Sequence, residues 1–317
     1  MTPSGLADTT ISKLVVLICT RNRPDFLGDL LVSLTNQTHS PAKVFVVDSS
    51  TDSKTQELIR QLSRQSSLDL HYVKSEAGLP HQRNVGIDQI IASGFSPNTA
   101  VSFLDDDVQV EEDYLEKVQR IFEKYPDVKF VGGYARGAES EPDNPARRLA
   151  LLSEHEGAGK VLKSGICIAA RPRNELEEVT WVPGHSMNAK LEIFSQTLFN
   201  PAPRIYGEDV EFQLRLGCAH RIYSSNALPV LHKQAPSNRD QLADLEAYSD
   251  GFRWSLARRK LGGVRKWAVV WATLCMALAL LCKGVVLRQP DAMQRLKGHV
   301  TFLARVLARR ETEQLIR

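Results

Sequence analysis

Over the first 135 residues, short apolar runs alternate with segments of helical period. The runs "KLVVLIC", "KVFVVD", "LDLHYV", "TAVSFLD" and "DVKFVGG" are apolar on both faces. Between them lie "DFLGDLLVSLTNQ", "SKTQELIRQLSRQ", "LPHQRNVGIDQIIAS" and "EDYLEKVQRIFEKY", each with a helical stripe. Strands without a polar face, separated by amphipathic helices, predict an α/β fold: a Rossmann-like, mostly parallel sheet with helices on both faces. In such a sheet ligands bind beyond the carboxyl ends of the strands. Polar clusters fall at those ends: "TRNRPD" after the first strand, Asp48 after the second, Glu76 and Gly78 after the third, and Asp105, Asp106 and Asp107 after the fourth.

From about Gly137 to Gln234 the pattern is less regular. "KVLKSGICIAA" and "EVTWVPG" read as strands, "GEDVEFQLRLG" as a helix, and "HRIYSS" and "ALPVLH" as further strands. After "HKQAPSNRD" the chain turns to helices, basic residues and one long apolar run. The expected organisation is a tail at 1–12, an α/β domain at 13–237 with halves 13–135 and 136–237, and a helical C-terminal appendage at 238–317.

Composition changes this picture in two places. The chain has 317 residues, 43% hydrophobic and 24% charged, enough to bury a full core and unlike a disordered chain. Its five cysteines form no CxxC pair and sit mostly in apolar stretches, which suits reduced thiols better than disulfides or zinc. "MTPSGLADTTISK" lacks the basic start and apolar run of a secretory signal, so a cytoplasmic body is expected. The formal +3 hides two opposite halves: Arg253 to Arg317 carry 14 Lys or Arg against 3 Asp or Glu, and the residues before them 26 against 34.

Each strand-end cluster has a chemical reading and a plainer one. Three adjacent carboxylates behind a buried strand repel one another unless a cation sits among them, as magnesium does with few protein carboxylates and substrate phosphates. The plainer reading is an acidic loop before the helix near Glu111. Asp48 can accept hydrogen bonds from a base or ribose, or serve as a turn residue, while Asp52 reads as an N-cap. Arg21 and Arg23 offer guanidinium forks to phosphate, or stand as an exposed basic turn. Arg83 and Asn84, in the first turns of a helix, oppose its macrodipole and lie where a diphosphate would be reached. Glu208 and Asp209 open a helix, where acids stabilise the N-terminus; a carboxylate there also suits the base that a transfer to a hydroxyl requires. His232 at a strand end is a metal ligand or a structural histidine. Trp181, His185 and Asn188 fall in "WVPGHSMNAK", a Gly/Pro-containing segment suited to stacking on and hydrogen bonding a sugar, or an ordinary packed loop.

Taken in order, "VLICTRNRP", "VVDSSTD", "GLPHQRNVG", "FLDDDV", "WVPGHSMNA", "GEDVEFQLR" and "VLHK" resemble the family 2 glycosyltransferases of GT-A fold, over roughly residues 13 to 235. The resemblance implies an inverting transfer of a sugar from a nucleotide-diphosphate donor to an acceptor hydroxyl, with Mg2+ or Mn2+ on a DxD-type motif. It puts Thr20, Arg21 and Asp48 on the nucleotide and Arg83 in the "RN" element. Asp105 and Asp107 match the DxD carboxylates, with Asp106 between them on the donor side. Asp209 matches the general base with Glu208 beside it, and His232 aligns with a histidine that some members place on the metal beside Asp107. Two departures stand out: the family's "DDGSxD" reads "DSSTD" here, and "GxxxARN" reads "GLPHQRN".

The appendage adds "WAVVWATLCMALALLCKGVVL", residues 267 to 287, apolar on every face apart from Lys283. About 20 such residues suffice to cross a bilayer. Cations on both sides favour a helix lying in or under the cytoplasmic leaflet, with a buried helix forming a homo-oligomer as the alternative. Nucleic acid is not an expected partner, because the cations flank an apolar segment. The sequence thus describes a glycosyltransferase on the inner face of the cell membrane, acting on a glycan or lipid-linked glycan. Its rivals are a nucleotide-sugar-binding scaffold without turnover and a nucleotidyltransferase, whose Gly-rich first loop "TRNRPD" lacks.

Overall fold

In the computed structural model, residues 13–137, 143–154, 159–169, 171–201, 206–233 and 242–308 are described. The expected tail at 1–12 and the boundary at 237/238 lie outside them. Strand β1 (Leu14–Thr20) leads to α1 (Pro24–Thr35), β2 (Lys43–Asp48), α2 (Lys54–Gln65), β3 (Leu70–Lys74) and α3 (Leu79–Ala92). Then come β4 (Ala100–Asp105), β5 (Val108–Val110), α4 (Tyr114–Lys124), β6 (Phe130–Ala135) and the short α5 (Pro145–Leu149). Three short strands, β7 (Lys160–Val161), β8 (Cys167–Ile168) and β9 (Glu177–Val179), precede β10 (Ser186–Lys190), α6 (Glu208–Leu216) and β11 (Ile222–His232). Three helices follow: α7 (Leu242–Arg258), α8 (Lys266–Val286) and α9 (Pro290–Leu307).

The main sheet runs β3-β2-β1-β4-β10-β6-β11-β5, with β9 on β11. It is parallel from β3 through β4 and mixed beyond, because β10 enters antiparallel between β4 and β6. Alternate residues of β1 feed two cores. Leu14, Val16 and Ile18 pack with Leu27, Leu30, Ile59, Val118 and Phe122 under α1, α2 and α4. Val15 and Leu17 pack with Ile87, Ile90, Phe212 and Leu216 under α3 and α6. Two-sided burial is why these strands read as unbroken apolar runs.

Register carries the chemistry to one rim. Thr20 lies opposite Asp48, and Cys19 opposite Asp105. The antiparallel β10 starts at that same rim, so the His185 carbonyl accepts from the Asp105 N–H at 3.3 Å. Strand β11 pairs antiparallel with β5, setting His232 against Val108 and beside Asp107.

The C-terminal helices share a core with α6 and do not hang apart. Val210 and Leu214 of α6 pack with Tyr248, Phe252, Leu256, Val269 and Phe302. Behind them Asp250, buried completely, pairs with Arg253 of its own helix and with His299 of α9, the latter at 2.6 Å. The tightest joint is Gly207, the N-cap of α6, held at φ +93° with a would-be Cβ only 2.6 Å from the Phe252 ring. Gly207→Ala therefore combines a left-handed penalty with a ring clash, and should cost about 2–4 kcal/mol. A lowered urea midpoint at unchanged slope is the expected reading.

Candidate active site

At the rim, Asp105, Asp106 and Asp107 take different partners. Asp106 turns inward, accepting from the Thr20 hydroxyl at 2.7 Å and from Arg23 Nη1 at 3.3 Å. Burial pushes its carboxyl up to about 6 against the pull of those two donors. Asp105 and Asp107 converge with His232: one ligand atom from each lies within 4.8 Å of the others. His232 Nε2 is 3.1 Å from Asp107 Oδ1, and that hydrogen bond holds the imidazole above its ordinary value. Burial raises Asp105, with Arg83 opposing. Two hard carboxylate oxygens and one imidazole nitrogen, with desolvated acids to neutralise, are a donor set that fits Mg2+ or Mn2+.

His185 lies against this group, its ring 4.9 Å from that of His232. It is buried, its Nδ1 has no hydrogen-bond partner, and burial together with the neighbouring His232 holds it down to about 4, a neutral imidazole.

The second half of the site is built on α6. Asp209 Oδ2 accepts from the Gly184 N–H and Oδ1 from the Val210 N–H, both at 2.8 Å. Burial, and then the charge of Glu208, lift its carboxyl to about 7. Gly184 eases this approach, since a Cβ there would sit 3.1 Å from both Arg83 Nη2 and Asp209 Cβ and they would have to shift by a few tenths of an ångström. Sequence reasoning missed Gly184; its glycine beside Pro183 was the one available signal.

Arg83 ties the halves together. Its Nη1 meets Glu208 Oε1 at 3.0 Å, and its Nη2 reaches Asp105 Oδ1 at 3.4 Å and the Gly184 carbonyl at 3.2 Å. Removing one member of a buried charge group strands the others, which costs about 3–5 kcal/mol. Arg83→Met should lower unfolding free energy by that much in urea titration, since Glu208 and Asp105 lose their cation.

Other residues singled out in the sequence have protein partners. Arg83, expected on a diphosphate, is occupied by protein carboxylates, and Asn84 is paired with the Phe199 backbone. Asp48 is fully buried; its Oδ1 accepts from the Ser50 N–H at 2.8 Å and its Oδ2 from the Tyr72 hydroxyl at 2.8 Å, with Lys74 at 3.5 Å. Asp48 thus closes a turn, and Asp52, expected as an N-cap, accepts from the Lys54 N–H one residue ahead of Ser53, the N-cap of α2. Thr20 and Arg23 are the supports of Asp106, whereas Arg21 stands exposed on the loop. Asn188, expected on an acceptor, lies wholly inside the sheet between Ser102, Tyr114 and the Val131 carbonyl. Trp181 is likewise buried, its indole N–H donated to the Lys160 carbonyl. "SMNAK" is a central strand because all five of its residues are buried.

The fold and rim together define the class: a GT-A sheet with acidic residues at its ligand-facing end. Mannosyltransferase PcManGT from Pyrobaculum calidifontis, solved with GDP-Man and Mn2+, superposes with a TM-score of 0.58 over 94% of this chain and 88% of its own, at 17% identity. Staphylococcus aureus TarS 1-349 in complex with UDP gives 0.51 over 94% and 92%, at 16% identity. GalNAc-T7 with UDP, GalNAc and Mn2+ gives 0.51 over 69% of this chain and 43% of that one, at 14% identity. The profile of glycosyl transferase family 2 matches residues 15–185, more than half of the sequence, and the chain belongs to that family. Glycosyltransferase GlyA of Streptococcus pneumoniae serotype 4 is 26% identical over 129 residues, which are 41% of this chain and 18% of that protein.

Proposed function

We propose that this protein is an inverting, metal-dependent glycosyltransferase that moves a sugar from a nucleoside-diphosphate donor to an acceptor hydroxyl. The observation that carries the reading is the Arg83 bridge, which joins Asp105 of the candidate cation trio to Glu208, the neighbour of the buried base candidate Asp209, at one strand-end rim. Asp105, Asp107 and His232 would hold the cation, which when bound supplies positive charge against the departing diphosphate.

Asp209 is the base. It takes the proton of the acceptor hydroxyl, whose oxygen forms a bond to the anomeric carbon as the bond from that carbon to the diphosphate oxygen breaks. The electron pair of the broken bond leaves with the diphosphate, and entry opposite the leaving group inverts the centre. Two backbone N–H donors fix the direction of the Asp209 carboxylate, so its orientation precedes the acceptor. His185, neutral and beside the cation trio, is suited to a hydrogen bond on donor or acceptor oxygens.

The acceptor is a glycan or lipid-linked glycan at the inner face of the cell membrane, a reading supported by the cationic, apolar C-terminal helices. A thermal-shift panel of UDP- and GDP-sugars with and without Mn2+, followed by donor hydrolysis, tests the proposal. A metal-dependent rise with one nucleotide class, accompanied by hydrolysis, is expected. No shift with any donor sinks the donor assignment, and binding without hydrolysis returns the scaffold alternative.

A further inference from the structure

Helix α8 is long and apolar enough to cross a membrane by composition alone. Its packing says otherwise. Ala268, Val269, Ala272, Thr273, Ala277 and Leu280 are buried, against α7 and α9. Thr273 accepts a hydrogen bond from Arg253 Nη2 at 3.1 Å, which joins α8 to the buried Asp250–Arg253–His299 group. A span would carry those charged groups into hydrocarbon, where they are costly.

The opposite face is exposed and apolar: Trp267, Trp271, Leu274, Leu278, Leu281 and Val285. Their spacing of four and three puts them on one stripe, about 27 Å long at the helical rise. At one end Trp271 donates its indole N–H to the Leu149 carbonyl, bringing exposed Leu149 alongside. Leu149, Trp254, Lys266 and Trp271 there line a groove of about 630 Å³. At the other end Met293 of α9 lies against Gly284 on the packed side of the helix, closing the α8–α9 joint. Arg265 and Lys266 stand at the start of the stripe and Arg288 just beyond its end. Two copies pairing through this stripe would oppose cation to cation in either orientation, whereas lipid phosphates complement both ends.

We propose that α8 is an in-plane anchor, its stripe seated in the headgroup and acyl boundary of an anionic bilayer while its other face stays packed on the catalytic unit. The sugar-transfer reading enters only in what the membrane would carry; donor hydrolysis in solution tests that reading separately.

The full-length protein should float with phosphatidylcholine vesicles containing phosphatidylglycerol and much less with phosphatidylcholine alone. Leu274→Glu/Leu278→Glu, on exposed positions, should weaken flotation at least about tenfold and leave donor hydrolysis unchanged. Arg265→Gln and Arg288→Gln should each weaken binding to the anionic vesicles by about fivefold. A nitroxide on Leu278→Cys should report a shallow depth, and alkaline carbonate should release the protein. A nitroxide at the bilayer centre, or resistance to carbonate, would overturn the in-plane anchor in favour of a span. A wild type that does not float and is a dimer split by Leu278→Glu would overturn it in favour of a second copy, and equal flotation of the double variant would remove the stripe from lipid binding.

Discussion

Asp209→Asn should lower sugar transfer by about 10²–10⁴-fold while donor affinity is retained. The carboxylate is directed by the Gly184 and Val210 amides; the variant keeps a carbonyl oxygen for one of them, sets its NH2 against the other, and has no basic oxygen for the acceptor proton. In the proposed mechanism donor binding rests on the candidate cation trio, of which Asp209 is not a member. The pH profile gives a second, independent readout. Burial and Glu208 keep Asp209 protonated up to about 7, so wild-type turnover should climb with pH and level off above that point. The residual rate of the variant should lack that limb. Stability runs the other way: a carboxyl raised from 3.8 in the folded state stabilises fully below its unfolded value, and that contribution is lost as pH rises through about 7. Activity gained and stability lost over the same window would mark Asp209 as a base held at a structural cost. Stopped assays of transfer across pH, beside calorimetric donor titration, check both; a variant that transfers normally removes Asp209 from the role.

The other large effect is expected at Asp107. Asp107→Asn replaces one of two anionic ligand candidates with a weak carbonyl oxygen and alters the acceptor that faces His232 Nε2 at 3.1 Å. Since changing partners one shell further from a metal commonly costs about 10–100-fold, loss of a direct ligand should remove at least that much metal-dependent donor affinity. Titration with nucleotide sugar in the presence of Mn2+ would show the loss, and affinity without metal should stay the same. Unchanged metal-dependent affinity would mean the cation is held elsewhere. The contrast with Asp209→Asn, which spares binding, separates the two halves of the site that Arg83 joins.

What the sequence determined by itself was local. Two-sided apolar runs and helical stripes set the strand and helix order through α4 except for the three-residue β5, which read as loop, and the strand ends placed Asp105 and Asp107 where chemistry is possible. Tertiary structure decided which of those groups meet, because pairings such as Arg83 with Glu208 or Thr20 with Asp106 join positions 125 and 86 residues apart, and no local period encodes them. It turned Asp106 inward and Asp105 and Asp107 toward His232, and it closed Asp48 behind Tyr72. It also made "SMNAK" a central antiparallel strand, since a short fully buried run flanked by Gly and Pro reads as a loop until its neighbours are known. For α8, all-round apolarity could not tell a buried face from an exposed one; only packing against α7 and α9 divided the helix in two.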